Sequence, residues 1–462
     1  MKRRKFLGQM GCAALGYTTL YSSLINLKAI NAAALADSTT AAAGDYKALV
    51  CILLSGGNDS YNMLVPTEQN QYNTYQTTRS NLAIPRQDLL PLSSPGLASG
   101  HFGIHPGMPE VRELFGQEKL AFVANVGTLI EPTTKQQFYS GSHPLPLGLF
   151  SHSDQIQQWQ TGRPEQRAAT GWGGRVAELV QSMNFNQKMS MNISLSETNV
   201  FQQGNEIFEY AISPNGAPGI YGRNSSWELD VIQQAALSEM LDKQYQDIYK
   251  QTYVNTIKSS DEATQEFQQA LEQAHSFQTP FSDNYISNSF RMIAQTISVQ
   301  ATLGFQRQIF FLNFGGWDHH DEILTNQGNM LPVVSKALSE FQAAMEEINK
   351  SQAVTTFSIS DFARTLTSNG NGTDHAWGGH TMVMGGAVEG GRIYGEYPSL
   401  ELKNPLDLGN GVLIPTTSAD QYFAELALWF GVSKGEAMEL FPNLRNFYNP
   451  SSVNRPIGFL NL

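Results

Sequence analysis

Cysteine is almost missing from this chain: Cys12 and Cys51 are the only two in 462 residues. That count rules out a disulfide framework and any cysteine-built zinc finger, so stability has to come from a large buried core. Basic residues are also scarce, 29 Lys and Arg against 41 Asp and Glu, for a net charge of −12. Such a surface argues against nucleic acid and anionic membranes as partners. Past the amino-terminal segment no apolar run is long enough to cross a bilayer, which excludes a stable membrane span in the body of the chain.

The amino terminus reads as a targeting segment, residues 1–36. A basic start with Arg3 and Arg4 is followed by Phe6-Leu7, a mildly apolar stretch from Met10 to Leu27, and Ala34-Leu35-Ala36. This is the order of an export signal, and the paired arginines match the twin-arginine type. The alternative is an uncleaved anchor. Cleavage after Ala36 removes five basic residues and no acidic one, which takes the net charge from −12 to −17 and leaves Cys51 as the only cysteine. The expected location is periplasmic or secreted, with the twin-arginine export machinery as a partner.

Four apolar runs read as buried strands: Tyr46 to Ser55, Leu120 to Val126, Gln308 to Phe314 and Ala353 to Ile359. Each of three is followed by a short loop rich in chemistry-bearing residues. Gly56-Gly57-Asn58-Asp59 follows the first, Gly315-Gly316-Trp317-Asp318-His319-His320-Asp321 the third, and Asp361 the fourth. A Gly/Asn-rich loop then presents Asp374-His375, and Gly378-Gly379-His380 opens a further apolar run. Strand, helix, strand from Gln308 to Ile359 is a βαβ unit with a right-handed crossover, which puts Asp318 and Asp361 on one edge. Ligands of open α/β sheets sit at that carboxyl edge, and carboxylates with neutral imidazoles suit zinc or a similar divalent ion. Each piece alone also has a bland reading as turn or helix cap.

Phe150-Ser151-His152-Ser153-Asp154 enters a helix. Ser151 and Ser153 read either as caps or as nucleophiles near a helix amino terminus. Arg175, in Gly171-Trp172-Gly173-Gly174-Arg175, meets either an anionic substrate or a surface carboxylate. Helices are expected from His105 to Leu114, Tyr285 to Leu303, Asn329 to Asn349 and Ala419 to Phe430, with short strands around Ile193 and Ile207. A Gln-, Glu- and Lys-rich region within about 226–281 reads as a helical insertion, and His275 as an ordinary surface residue.

Taken together, LSGGNDS, SHSDQIQQW, GGWDHH, SDFART and TDHAWGGH behind a twin-arginine leader resemble the exported bacterial family called domain of unknown function 1501. That family is similar to the alkaline-phosphatase and sulfatase superfamily. The resemblance implies an α/β fold of alkaline-phosphatase type, a mixed and mostly parallel sheet with helices on both faces and a helical insertion, filling residues 37–462. It also implies one or two divalent metals, zinc first, with calcium, magnesium or manganese as alternatives. Asp59 would correspond to the carboxylate that touches both metals, Asp318 with His319 or His320 to part of one set, and Asp361, Asp374, His375 and His380 to the later ligands. Eight candidates exceed what two tetrahedral sites need, so some stand behind the others. The Cys/Ser-x-Pro-x-Arg type of pattern that makes formylglycine is missing around Cys51 and Ser151-His152-Ser153, which excludes that sulfatase chemistry.

The implied function is metal-assisted hydrolysis of a phosphate or sulfate ester, small-molecule or polymeric, with Ser153, Ser151 and Arg175 as candidate catalytic residues. The competing class is a non-catalytic exported protein that keeps the fold in a binding or structural role.

Overall fold

The computed structural model describes residues 45–462 except 96, 98–99 and 220–225. The segment read as a twin-arginine leader, residues 1–36, lies outside the described residues. Twelve strands form, in chain order: β1 (Lys47–Ser55), β2 (Leu64–Pro66), β3 (Leu90–Pro91), β4 (Phe102–Ile104), β5 (Leu120–Gly127) and β6 (Asn192–Ser194). β7 (Tyr210–Ala211), β8 (Arg307–Gly315), β9 (Val354–Ser360), β10 (Gly379–Met384), β11 (Ile393–Tyr394) and β12 (Thr417–Ser418) complete the set. Nine belong to one sheet, in the order β11-β5-β10-β9-β1-β8-β6-β7 with β12 also on β5, while β2, β4 and β3 make a small antiparallel sheet.

The continuous apolar runs become central strands because both of their faces are covered. Ala48 through Leu54 of β1 are all buried between β8 and β9, paired in parallel on either side. Within the large sheet only β10 runs against its neighbours, antiparallel to both β9 and β5. The carboxyl ends of β1, β8, β9 and β5 therefore share one rim with the amino end of β10. Helices cover both faces. Phe357 of β9 meets Trp172 and Tyr422, from the helices Trp172–Val180 and Ala419–Phe430. Register puts Val383 opposite Phe357 and Met382 opposite Phe122, so Phe122 points to the other face, where it meets Phe115 of the helix Pro109–Gly116. The mixed, mostly parallel α/β sheet is thus as expected.

Several element bounds differ from the expectation. The helix expected from His105 starts at Pro109, where Pro suits the first turn. The helix expected from Asn329 begins six residues earlier and runs Ile323–Glu347, carrying Pro332 inside it. Burial of Ile323, Gln327, Leu331 and Val334 on one side offsets the backbone hydrogen bond that proline cannot donate. The short strand placed near Ile207 forms at Tyr210–Ala211. In the insertion, the helix Glu228–Asp242 buries only Asp230, and the helix Ile248–Leu271 is anchored through Ala263, Thr264, Phe267 and Ala270 in its second half. His275 is half-exposed and lies 2.9 Å from Glu347. Among the described residues no helix is long and apolar enough to cross a membrane.

Candidate metal centre

The loops at the shared rim are drawn together by one guanidinium. Arg364, fully buried just past β9, donates from Nε to Gly57 O (2.9 Å), from Nη2 to Gly56 O (2.6 Å) and from Nη1 to Thr373 O (3.2 Å). Nη2 also bonds Trp317 O (3.3 Å) and the carboxylate of Asp318. The turns after β1 and β8 approach so closely that a Cβ on Gly56, at φ +118°, would lie 2.4 Å from Asp318 N. Glycine is required there for contact as well as for conformation.

Three imidazoles meet beside Asp318. His152 opens the helix His152–Thr161, and its Nδ1 lies 2.7 Å from Oδ2 of the buried Asp361, whose other oxygen accepts from Gly56 N at 3.1 Å. His375 has Nδ1 2.7 Å from the carbonyl of Phe150, and His320 has Nδ1 3.1 Å from Asp374 Oδ1. A carbonyl or a carboxylate accepts only, so each ring carries its proton on Nδ1 and turns a bare Nε2 inward. These inward atoms are close: His152 to His375 is 3.1 Å and His320 to His375 is 2.9 Å. Asp318 Oδ1 sits 3.1 Å from His320 Nε2, 3.5 Å from His152 Nε2 and 3.7 Å from His375 Nε2.

Lone pairs facing one another at such distances repel unless a cation lies between them. With bonds of about 2.0–2.1 Å, ligand atoms of a tetrahedral zinc stand about 3.3 Å apart. His152, Asp318 and His375, mutually within 4.8 Å, form one face of such a tetrahedron. The donor set therefore fits a divalent cation, and Asp361 and the Phe150 carbonyl supply the outer hydrogen bonds that fix ligand rings. Electrostatics agree. Burial raises the pKa of Asp318, but the bond and charge of Arg364 outweigh it and hold the carboxyl below its usual range. Burial lowers that of His375, against the opposing bond to the Phe150 carbonyl. Asp361 is raised by burial, against the opposing bonds from His152 and Gly56 N.

The other sequence candidates sit elsewhere. Asp59 is fully buried in an ion pair with Arg79, and its Oδ1 caps Tyr61 N at 3.2 Å. Arg79 is tied further to Asn62 Oδ1 (3.1 Å) and Thr365 O (3.0 Å). His380 is buried with its ring stacked on Tyr397 (4.7 Å) and edge-on to Tyr61 (4.8 Å), Nδ1 accepting from Asn125 N, and burial takes its pKa down to about 3. His319 is buried against Trp317, its pKa lowered by burial. Ser151 caps the helix that carries His152, with Ser153 Oγ 3.1 Å from Ser151 Oγ. Arg175 donates to the carbonyls of Thr170, Thr161 and Leu440, and burial lowers its pKa to about 9.

The structure thus assembles Asp318, His320 and His375, backs them with Asp361 and Asp374, and buries Asp59, His319 and His380, with His319 in reach of the charges of Arg364, Asp59 and Asp318. His152 is the member that sequence reasoning passed over. Its signal was present, an imidazole at the first turn of a helix after a Gly/Pro-rich loop, but the flanking serines drew the attention.

Fold and cluster together define the class: an α/β protein whose sheet rim carries a carboxylate–imidazole cluster shaped for a divalent cation. The chain belongs to the family described as "Protein of unknown function (DUF1501)", whose profile matches residues 46–440. Comparison with curated proteins gives no match. Among solved structures, the chain is similar to PsFucS1 sulfatase from Pseudoalteromonas sp., at 9% identity and TM-score 0.37 over 95% of this chain and 77% of that one. It is also similar to Ps i-CgsB in complex with k-i-k-neocarrahexaose, at 10% identity and TM-score 0.36 over 88% and 77%. A third is the C-terminal periplasmic domain of EcEptC from Escherichia coli, at 10% identity and TM-score 0.33 over 89% and 92%.

Proposed function

We propose that this protein is an exported hydrolase of phosphate or sulfate esters that works with a divalent cation, zinc first, held by His152, Asp318 and His375 with His320 alongside. The observation that carries the reading is the convergence of inward Nε2 atoms on a carboxylate whose side chain is 48% exposed. Three protein ligands with a side open to solvent is the arrangement of catalytic rather than structural zinc sites. When bound, such an ion polarises an ester oxygen and lowers the pKa of water.

The chain's own groups do the rest. Asp361 holds the Nδ1 proton of His152, and the Phe150 carbonyl holds that of His375, so both rings keep their orientation through turnover. Arg364 fixes Asp318 and closes the loops beneath it. Ser151 and Ser153 set the helix entrance that presents His152, and water is the attacking group. Arg175 ties the end of that helix to its neighbours. The leader, if cleaved after Ala36, delivers the folded protein by the twin-arginine route to the periplasm or beyond.

Metal analysis of the purified mature chain, followed by a panel of phosphate and sulfate mono- and diesters, tests this. Bound divalent ion with ester turnover that His152→Ala and Asp318→Ala abolish is the expected result. Bound ion without turnover of any ester would favour the non-catalytic role, and no bound ion at all would remove the reading.

A further inference from the structure

The charge around the cluster restricts which ester fits. Three carboxylates, Asp318, Asp361 and Asp374, bond directly to the imidazoles or to Arg364. With the single guanidinium of Arg364 and one divalent ion, and with neutral rings, the formal charges sum to zero. Two further exposed acids, Asp321 and Glu322, follow in the loop after β8 that carries Asp318 and His320.

Arg364 gives nothing to a substrate. Its side chain is fully buried, and its three nitrogens are bonded to Gly56, Gly57, Trp317, Thr373 and Asp318. Its charge lowers the pKa of both Asp318 and His375. Arg79 is buried against Asp59, and Arg167 is paired with Asp154 at 2.8 Å. The second negative charge of a phosphate monoester dianion would therefore find Arg364 already committed and the exposed Asp374 beside the imidazoles.

We infer that the centre selects monoanionic esters, phosphate diesters or sulfate monoesters, over phosphate monoester dianions. The inference rests on the ester-hydrolase reading and narrows it. In the reaction water supplies the new oxygen on phosphorus or sulfur and the P–O or S–O bond to the leaving group breaks. The alcohol departs with one proton of that water and the acid keeps the other.

The test uses the zinc-loaded full chain at about pH 8 and three substrates with one leaving group: 4-nitrophenyl phosphate, methyl 4-nitrophenyl phosphate and 4-nitrophenyl sulfate. We expect kcat/KM for the diester or the sulfate to exceed that for the monoester by on the order of tenfold or more, the faster of the two identifying the acid. Asp374→Asn, which removes the exposed charge but keeps an acceptor for His320, should raise the monoester rate relative to the others. Equal or faster turnover of the monoester overturns the inference while leaving the hydrolase reading intact. No turnover of all three overturns both, and an unchanged ratio in Asp374→Asn overturns the electrostatic cause.

Discussion

Two groups of acidic and imidazole side chains lie near the same rim of the sheet, and they behave in opposite ways. In the inner group Asp59 is matched to Arg79 with both side chains fully buried, and His380 is wedged between two tyrosine rings. Its charges are already neutralised and its rings are packed, so it is a piece of core. In the outer group the rings are held from behind, by Asp361, Phe150 O and Asp374, and their free nitrogens point at one another and at a half-exposed carboxylate. Residue type is shared between the two groups. What separates them is access: Asp59 is fully buried with Arg79, whereas Asp318, though bonded to Arg364, keeps a half-exposed side turned to the imidazoles.

The sharpest way to break this contrast is to delete a converging ligand. His152→Ala or Asp318→Ala should remove bound divalent ion and cut ester turnover by orders of magnitude, read by metal analysis and initial rates, and His152→Ala should do so with little change in thermal unfolding of the ion-free protein. The mirror experiment is Asp59→Ala. Leaving Arg79 buried and uncompensated should cost about 3–5 kcal/mol of stability in denaturant unfolding, while refolded protein keeps its ion stoichiometry. Loss of the ion with stability intact would invert the assignment of the two groups. Asp361→Asn is gentler: the acceptor behind His152 remains but without its charge, and ion affinity should fall about 10–100-fold by competition titration.

A further expected effect, spread over several pH units, is a pH slope. His380 is held near pKa 3 in the fold, well under the ordinary 6.5, so between those values the unfolded chain binds a proton that the folded one does not. Stability contributed by the neutral ring is present above about pH 6.5 and is lost as pH falls towards 3, at up to about 1.4 kcal/mol per unit. His105, lowered to about 4 by burial, adds to the slope in the same direction. His380→Gln should flatten the slope in urea midpoints measured from pH 7 to pH 4, and an unchanged slope would place the titrating group elsewhere.

The sheet and the rim were legible in the sequence because continuous apolar runs, two of them ended by the glycine pairs Gly56-Gly57 and Gly315-Gly316, have few other meanings, and β1, β5, β8 and β9 lie within a residue of where those runs end. The direction of β10 was not legible, since a six-residue strand reads the same either way. The antiparallel sense is what turns the segment from Asp361 to His375 back to the rim it left. Within the site, spacing brought Asp318 and Asp361 to one edge but could not separate Asp59 from them. The sequence does not reveal that Arg79, twenty positions on in a helix of mixed character, reaches back to Asp59. His152 was hidden for a related reason: its partner Asp361 is 209 residues away.

That distance has an effect on the life of the protein. His152, Asp318 and His375 come from three stretches that touch only after β1, β8 and β9 have zipped side by side and Arg364 has closed the turns. On the proposed reading, no fragment that ends before His375 carries the whole trio, so loading has to follow assembly of the rim. A mutation that merely slows sheet assembly would then present as metal deficiency, although every ligand is intact.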